Sequence, residues 1–347
     1  MAVAQMTPYE RVMAAMQRRD VDVFPVINPV SVATVDGMRH SGAYFPDAHT
    51  DPAKMAELAA VGHEHFGFDS VMPYYSVHLE AAALGAQIDW QDADNMPQVV
   101  ATAISRLDDF ELPAKFMQRT ELQKLLKAIG ILKKKYGGRV PIIGKVVGPW
   151  TLAYNIYGVE NLTLDMILEP KKTAEFIKEL SAVSIKFAKE QFAAGADIVT
   201  WAEHATSDLV SPHIYSEFLL PVHQKAAFAL QCDGPVILHL CGNVMDRLSI
   251  ISKSGFQAFH LHSRNDFAEA VKAVGDDILI LGGVNNPLTL SQGTPKTVQK
   301  EVAHILRSKV SIVAPECALP SNVPEQNLLE LTRAVHQYSP KDTAPQL

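Results

Sequence analysis

The chain has 347 residues, 48% of them hydrophobic and 20% charged, which suits a folded enzyme with a sizeable core and not a disordered or fibrous chain. Its formal net charge of −7 includes no basic block, so the electrostatic footprint of a nucleic-acid binder is missing, and no apolar run reaches bilayer length. Three cysteines, Cys232, Cys241 and Cys317, are too few for a disulfide framework; with no apolar leader core at the N-terminus, they point to a reducing, cytoplasmic setting.

Thr7-Pro8-Tyr9-Glu10 reads as a capping box with proline at the first helical position, so an N-terminal helical extension precedes the first strand. Residues 24–30 and 70–74 are the first two predicted strands, with a helix started by Asp51-Pro52 between them. Residues 91–116 are polar, contain proline and lack periodicity, which predicts an excursion before the third strand. Apolar strands then alternate with helical patterns, at 142–147, 197–203, 236–241, 258–262, 278–284 and 311–317. Phe176, Leu180, Val183 and Phe187 mark one helix face that ends at Gly195; Ser211-Pro212 and Thr294-Pro295 start further helices, the last running to about Arg307. Eight strands separated by helices, with no Gly-x-Gly-x-x-Gly after the first, predict an α/β fold of the (β/α)8 TIM-barrel type, with residues 1–347 as a single domain. Chemistry then belongs at the C-terminal strand ends.

Side chains alternate along a strand, so His239 and Cys241 share one face while Leu238 and Leu240 point to the helices. Cys317 ends the eighth predicted strand. An imidazole and two thiolates form an open three-ligand set suited to catalytic Zn2+, with a fourth position for substrate or water. The residues alone leave this reading level with two buried apolar cysteines and a hydrogen-bonded histidine. Glu203 closes the fourth strand with inward parity, placed to orient a ligand, to take a thiol proton, or to make a structural hydrogen bond. His204 follows it, and His262 closes the sixth strand. Arg39, His78 and Glu80 could line the rim. His63 and His65, two residues apart on one helix, face different ways, which argues against a second metal there.

His239-Leu240-Cys241 followed far downstream by Ala314-Pro315-Glu316-Cys317 resembles the zinc motif of the MtaA/CmuA methyltransferases, within the uroporphyrinogen decarboxylase superfamily. Met38 to Pro46, Ala83-Leu84-Gly85, Gly148-Pro149-Trp150-Thr151, Ala194-Gly195-Ala196-Asp197 and Leu209-Val210-Ser211-Pro212 are similar to that superfamily along nearly the whole chain. The resemblance implies a (β/α)8 barrel whose zinc, on His239, Cys241 and Cys317, activates a thiol acceptor, most often coenzyme M. The methyl donor would be a methylcobamide (a methylated corrinoid) presented by a partner corrinoid protein, and homocysteine or a folate stand as other acceptors. Glu203 and His204 depart from that family's pattern, which has Asp-Pro there; with Glu203 read as catalytic from its parity, His262 is a second catalytic position, near the metal where relatives place a glutamate, and Arg39, Glu80 and His204 are read as cofactor-binding positions. The decarboxylase pattern fails twice, since Ser76 stands where its aspartate is expected and Ala43 replaces its second arginine. Tetrapyrrole decarboxylation and a non-enzymatic corrinoid-binding barrel are the competing readings.

Overall fold

The computed structural model describes residues 5–93 and 95–338. A two-stranded antiparallel hairpin, β1 (Gln87–Asp89) and β2 (Gln98–Ala101), precedes a five-stranded parallel sheet in chain order: β3 (Ile143–Val147), β4 (Ile198–Glu203), β5 (Val236–Leu240), β6 (Ala258–Leu261) and β7 (Leu279–Gly282). Every residue of the parallel strands is buried, as expected of strands covered on both faces.

The predicted first, second and eighth strands are not ladders. They contribute single parallel bridges, Val26 to Val313, Val71 to Ile142 and Val284 to Pro315. Prolines are the reason: Pro25, Pro29, Pro73 and Pro315 each lack the N–H that a continuing ladder would need. The circuit nevertheless continues through individual bonds. Ile27 N–H donates to Val313 O (2.9 Å), Asp69 N–H to Val26 O (2.7 Å), Ile143 N–H to Val71 O (2.9 Å) and Val284 N–H to Ala314 O (2.7 Å). Eight segments are thus linked neighbour to neighbour into a ring.

The capping box forms as read, and helix Pro8–Met16 carries Arg11, which pairs with Asp22 (2.8 Å) and Asp69 (2.6 Å). Helix Pro170–Ala194 buries Phe176, Leu180, Val183 and Phe187 and stops at Gly195, whose φ of +118° suits only glycine. Ser211 caps a helix that contains a π-helical turn: Pro212–Ile214 is α, Tyr215–Leu219 is π, and Leu220–Leu230 is α again. Neither hairpin strand was predicted: β2 lies inside the 91–116 stretch read as an excursion and β1 just before it, and both are largely exposed and offer no apolar alternation.

Candidate active site

The interior of the ring is set by register. Ala202 pairs with His239, and His239 with His260, so these residues face the axis, whereas Glu203 pairs with Leu240 on the helix-facing side. His239 Nε2 lies 3.1 Å from Cys241 Sγ and 3.5 Å from Cys317 Sγ, and the two sulfurs are 3.3 Å apart. These three residues form a group whose donor atoms all fall within 4.8 Å of one another. Neither cysteine is in a disulfide. The two thiols differ in acidity: the hydrogen bond between them holds Cys317 well below the usual thiol range and, with burial, pushes Cys241 well above it. The His239 ring is buried beside that of His260, with centroids 4.7 Å apart, and His239 Nδ1 has no partner. His260 Nε2–H donates to Pro315 O (2.8 Å), which anchors the segment leading to Cys317. One imidazole nitrogen and two thiols converging in this way fit the donor set of a zinc site with an open position.

The group opens into a cavity of about 280 Å³ whose wall includes Ser76, His78, Met96, Lys145, Tyr154 and His204. Among the described residues Lys145 is its only lysine or arginine, and sequence reading missed it. The side chain projects inward from the middle of β3, is buried, and donates to Val30 O (3.2 Å) with its ammonium 4.6 Å from the Tyr74 ring centroid. Burial pulls its pKa down to about 8, against the attraction of Glu80, Cys317 and Cys241. A lysine inside the apolar run Ile142-Ile143-Gly144-Lys145-Val146-Val147, with inward parity, was the available signal. Tyr154 was missed as well; its hydroxyl is bonded to His204 Nδ1 (3.2 Å).

Glu203 corrects the sequence reading. It shares its face with Trp201, whose ring packs near His223 and Phe256, so it does not point along the axis towards the thiols. Its carboxylate instead turns over the start of helix Pro149–Tyr157, accepting from Trp150 N (3.3 Å), Thr151 N (3.0 Å) and Thr151 Oγ1 (3.0 Å), with His223 Nε2 at 3.4 Å. A carboxylate at a helix N-terminus is favoured by the unpaired amides and the helix dipole. Gly148 makes room for it, since a Cβ there would stand 2.2 Å from Glu203 Cδ.

The other predicted positions separate. His204 lines the cavity, and burial lowers its pKa. His262 is beside the group but outside it: its Nδ1 accepts from Arg264 N (3.2 Å) and lies 3.2 Å from Glu316 Oε2. Glu80 is fully buried and away from the rim, with Oε1 accepting from Val147 N (2.8 Å) and Oε2 from the Tyr74 hydroxyl, and burial raises its pKa to about 7. Arg39 points to solvent, paired with Asp36, and is absent from the cavity wall.

A ring of parallel segments with its polar, thiol-bearing residues gathered at the C-terminal ends defines an α/β-barrel protein of the kind that places its active site there. More narrowly, the chain belongs to the uroporphyrinogen decarboxylase family, whose model (Uroporphyrinogen decarboxylase, URO-D) matches residues 7–338. It is 33% identical over 333 residues to a methylated-thiol–coenzyme M methyltransferase of Methanosarcina mazei, covering 96% of this chain and 90% of the relative. Identity to the methylcobamide:CoM methyltransferase MtbA of Methanosarcina acetivorans is 31%, over 97% of this chain and 99% of that one. The solved structure of a methyltransferase from Methanosarcina mazei superposes with a TM-score of 0.92 at 29% identity, covering 95% and 98% of the two chains. Among the described residues no helix is long and apolar enough to cross a membrane.

Proposed function

We propose that this protein is a methyltransferase that moves a methyl group from a methylated corrinoid, carried by a partner protein, to a small thiol, with coenzyme M the leading acceptor and Zn2+ the resident metal. The carrying observation is the convergence of His239 Nε2, Cys241 Sγ and Cys317 Sγ, 3.1 to 3.5 Å apart, on a cavity that a small molecule can enter. The likeness to coenzyme M methyltransferases over nearly the full chain supports the reaction class.

His239, Cys241 and Cys317 would hold the zinc, and when bound the metal would supply a thiolate nucleophile at a pH where a free thiol is mostly protonated. The residues around it do the positioning. Lys145, buried in the cavity wall, places one positive charge facing the two cysteines and suits an acceptor that brings a thiolate and an anionic end. Tyr154, on the helix that follows β3, and His204, just past the end of β4, are bonded to each other and form a polar edge of the cavity. In the transfer, the acceptor sulfur forms a bond to the methyl carbon while the carbon–cobalt electron pair stays with cobalt, and the thiol proton leaves to solvent. Tetrapyrrole decarboxylation is poorly served: Ser76 replaces the expected acid, and Glu203, the carboxylate in the wall, is occupied as a helix cap.

The test is to assay metal content, then mix protein with methylcobalamin and, in separate arms, coenzyme M, homocysteine or tetrahydrofolate, following loss of the methyl–cobalt spectrum. Thiol-dependent demethylation that falls more than about 100-fold in Cys241→Ala and Cys317→Ala, together with metal loss, is the expected result. Absence of demethylation with every acceptor, or wild-type rates in both variants, would overturn the proposal.

A further inference from the structure

Away from the cavity the fold assembles a second set of metal-ligating side chains. His40 lies near the end of helix Val35–Ser41, His65 is the C-cap of helix Pro52–Glu64, and Glu325 is the first residue of helix Glu325–Gln337. Their donor atoms also fall within 4.8 Å of one another. His40 Nε2 is 2.9 Å from Glu325 Oε2, and His65 Nε2 is 2.7 Å from Glu325 Oε1. The two imidazoles lie face to face, with centroids 3.7 Å apart and planes 34° from parallel.

This is more than a surface ion pair. One carboxylate receives two closely spaced, tilted rings, each by the same nitrogen and each on its own oxygen. Loss of the two ring protons frees Nε2 of both histidines, and a small outward shift of the side chains from these hydrogen-bond separations makes room for a cation with bonds of about 2.1 Å. The side chains are 31% to 40% exposed, which leaves room for water at the remaining positions. Imidazole nitrogen with carboxylate oxygen and no thiolate selects a borderline cation such as Zn2+, Ni2+ or Cu2+ over Ca2+ or Mg2+.

We propose that His40, His65 and Glu325 form a second divalent-metal site, distinct from the cysteine-containing group, which ties the first helices of the barrel to its last one. The proposal is independent of the reading of the cavity. The ligands are 285 and 260 residues apart in pairs, so an ion here would fasten the two ends of the ring and would bind the folded chain in preference to the unfolded one. Metal-dependent thermal stability follows as a readout that needs no catalysis.

The experiment is equilibrium dialysis of the full chain against micromolar Zn2+, counting bound metal and recording Tm, for the wild type, His65→Gln, His40→Gln and Glu325→Gln. Glutamine at position 65 or 40 keeps an N–H for Glu325 but removes the ligating imidazole, so the clasp survives while the site does not. The expected result is an equivalent of zinc beyond that held by the cysteine group, retained in Cys317→Ala, lost in His65→Gln and Glu325→Gln, with a zinc-dependent rise in Tm lost alongside it. Absence of that additional equivalent from the wild type at micromolar zinc, or its persistence in both His65→Gln and Glu325→Gln, overturns the proposal. Should Glu325→Gln fold poorly, His40→Gln supplies the same comparison on an exposed residue.

Discussion

Replacing Lys145 by methionine should make the metal-free protein more stable and less able to take an anionic acceptor. Burial lowers the ammonium from an ordinary pKa of 10.5 to about 8. Each pH unit between folded and unfolded values is worth about 1.4 kcal/mol, so keeping this group charged inside costs about 3 kcal/mol at neutral pH. Losing the bond to Val30 O gives back about 1 kcal/mol, for a net stabilisation of about 2 kcal/mol in Lys145→Met. The sign is fixed by linkage. Below pH 8 the lysine is charged in both states and the whole penalty applies; between about 8 and 10.5 the folded chain releases its proton first, and the penalty fades. The stability gap between variant and wild type should therefore be widest near pH 7 and close towards pH 10.5. Urea unfolding of both proteins at pH 7 and pH 10 measures the gap, and the difference cancels groups common to both. A variant less stable than wild type at pH 7, or a gap that does not narrow, would refute the charge-burial reasoning. If the cavity takes an anionic thiol, the variant should also raise the acceptor KM with less effect on kcat.

Glu203→Ala should lower stability by about 2 to 4 kcal/mol, because Trp150 N, Thr151 N and His223 lose a buried partner, while bound metal stays at the wild-type level; a thermal melt and a metal assay on one preparation check both. Gly148→Ala should cost about 2 kcal/mol or more by driving a methyl group into that carboxylate, and much less when Glu203 is already alanine, a non-additivity that a double-mutant cycle reads directly. His262→Ala should keep its metal, since the ring is paired with Glu316 and Arg264 N; a fall in zinc affinity beyond about tenfold would place it on the ion after all.

The cysteine-containing group was legible because two simple regularities met: side-chain alternation put His239 and Cys241 on one face, and a third soft ligand ended another strand. The same alternation, miscounted by one position for β4, turned Glu203 inward. Registering Trp201 as a large apolar side chain destined for the helix layer would have corrected it. Lys145 sat in plain view, yet its significance depended on which carboxylates and thiols the ring brings near, and neighbours in sequence do not say. The three interrupted strands were in fact announced by their prolines. His65 was judged only against His63 on its own helix, and its actual companions arrive from residues 40 and 325. Glu80 was read as a rim residue, because nothing in the sequence reveals that Tyr74 and Val147 N close over it.

The π-helical turn at Tyr215–Leu219 sets a tolerance limit on chain length. Such a turn holds one residue more than an α-helical turn would, so it fixes how the two halves of the helix are phased about their axis. Here that phase brings the Tyr215 hydroxyl 3.0 Å from His223 Nδ1 and leaves the other nitrogen of the ring facing Glu203. Deleting a single residue from the turn would restore a regular α-helix and swing Tyr215 about 100° away from His223. That small change in length, made two contacts away from the cavity wall, would release the histidine, then the carboxylate, then the first turn of the helix that carries Tyr154.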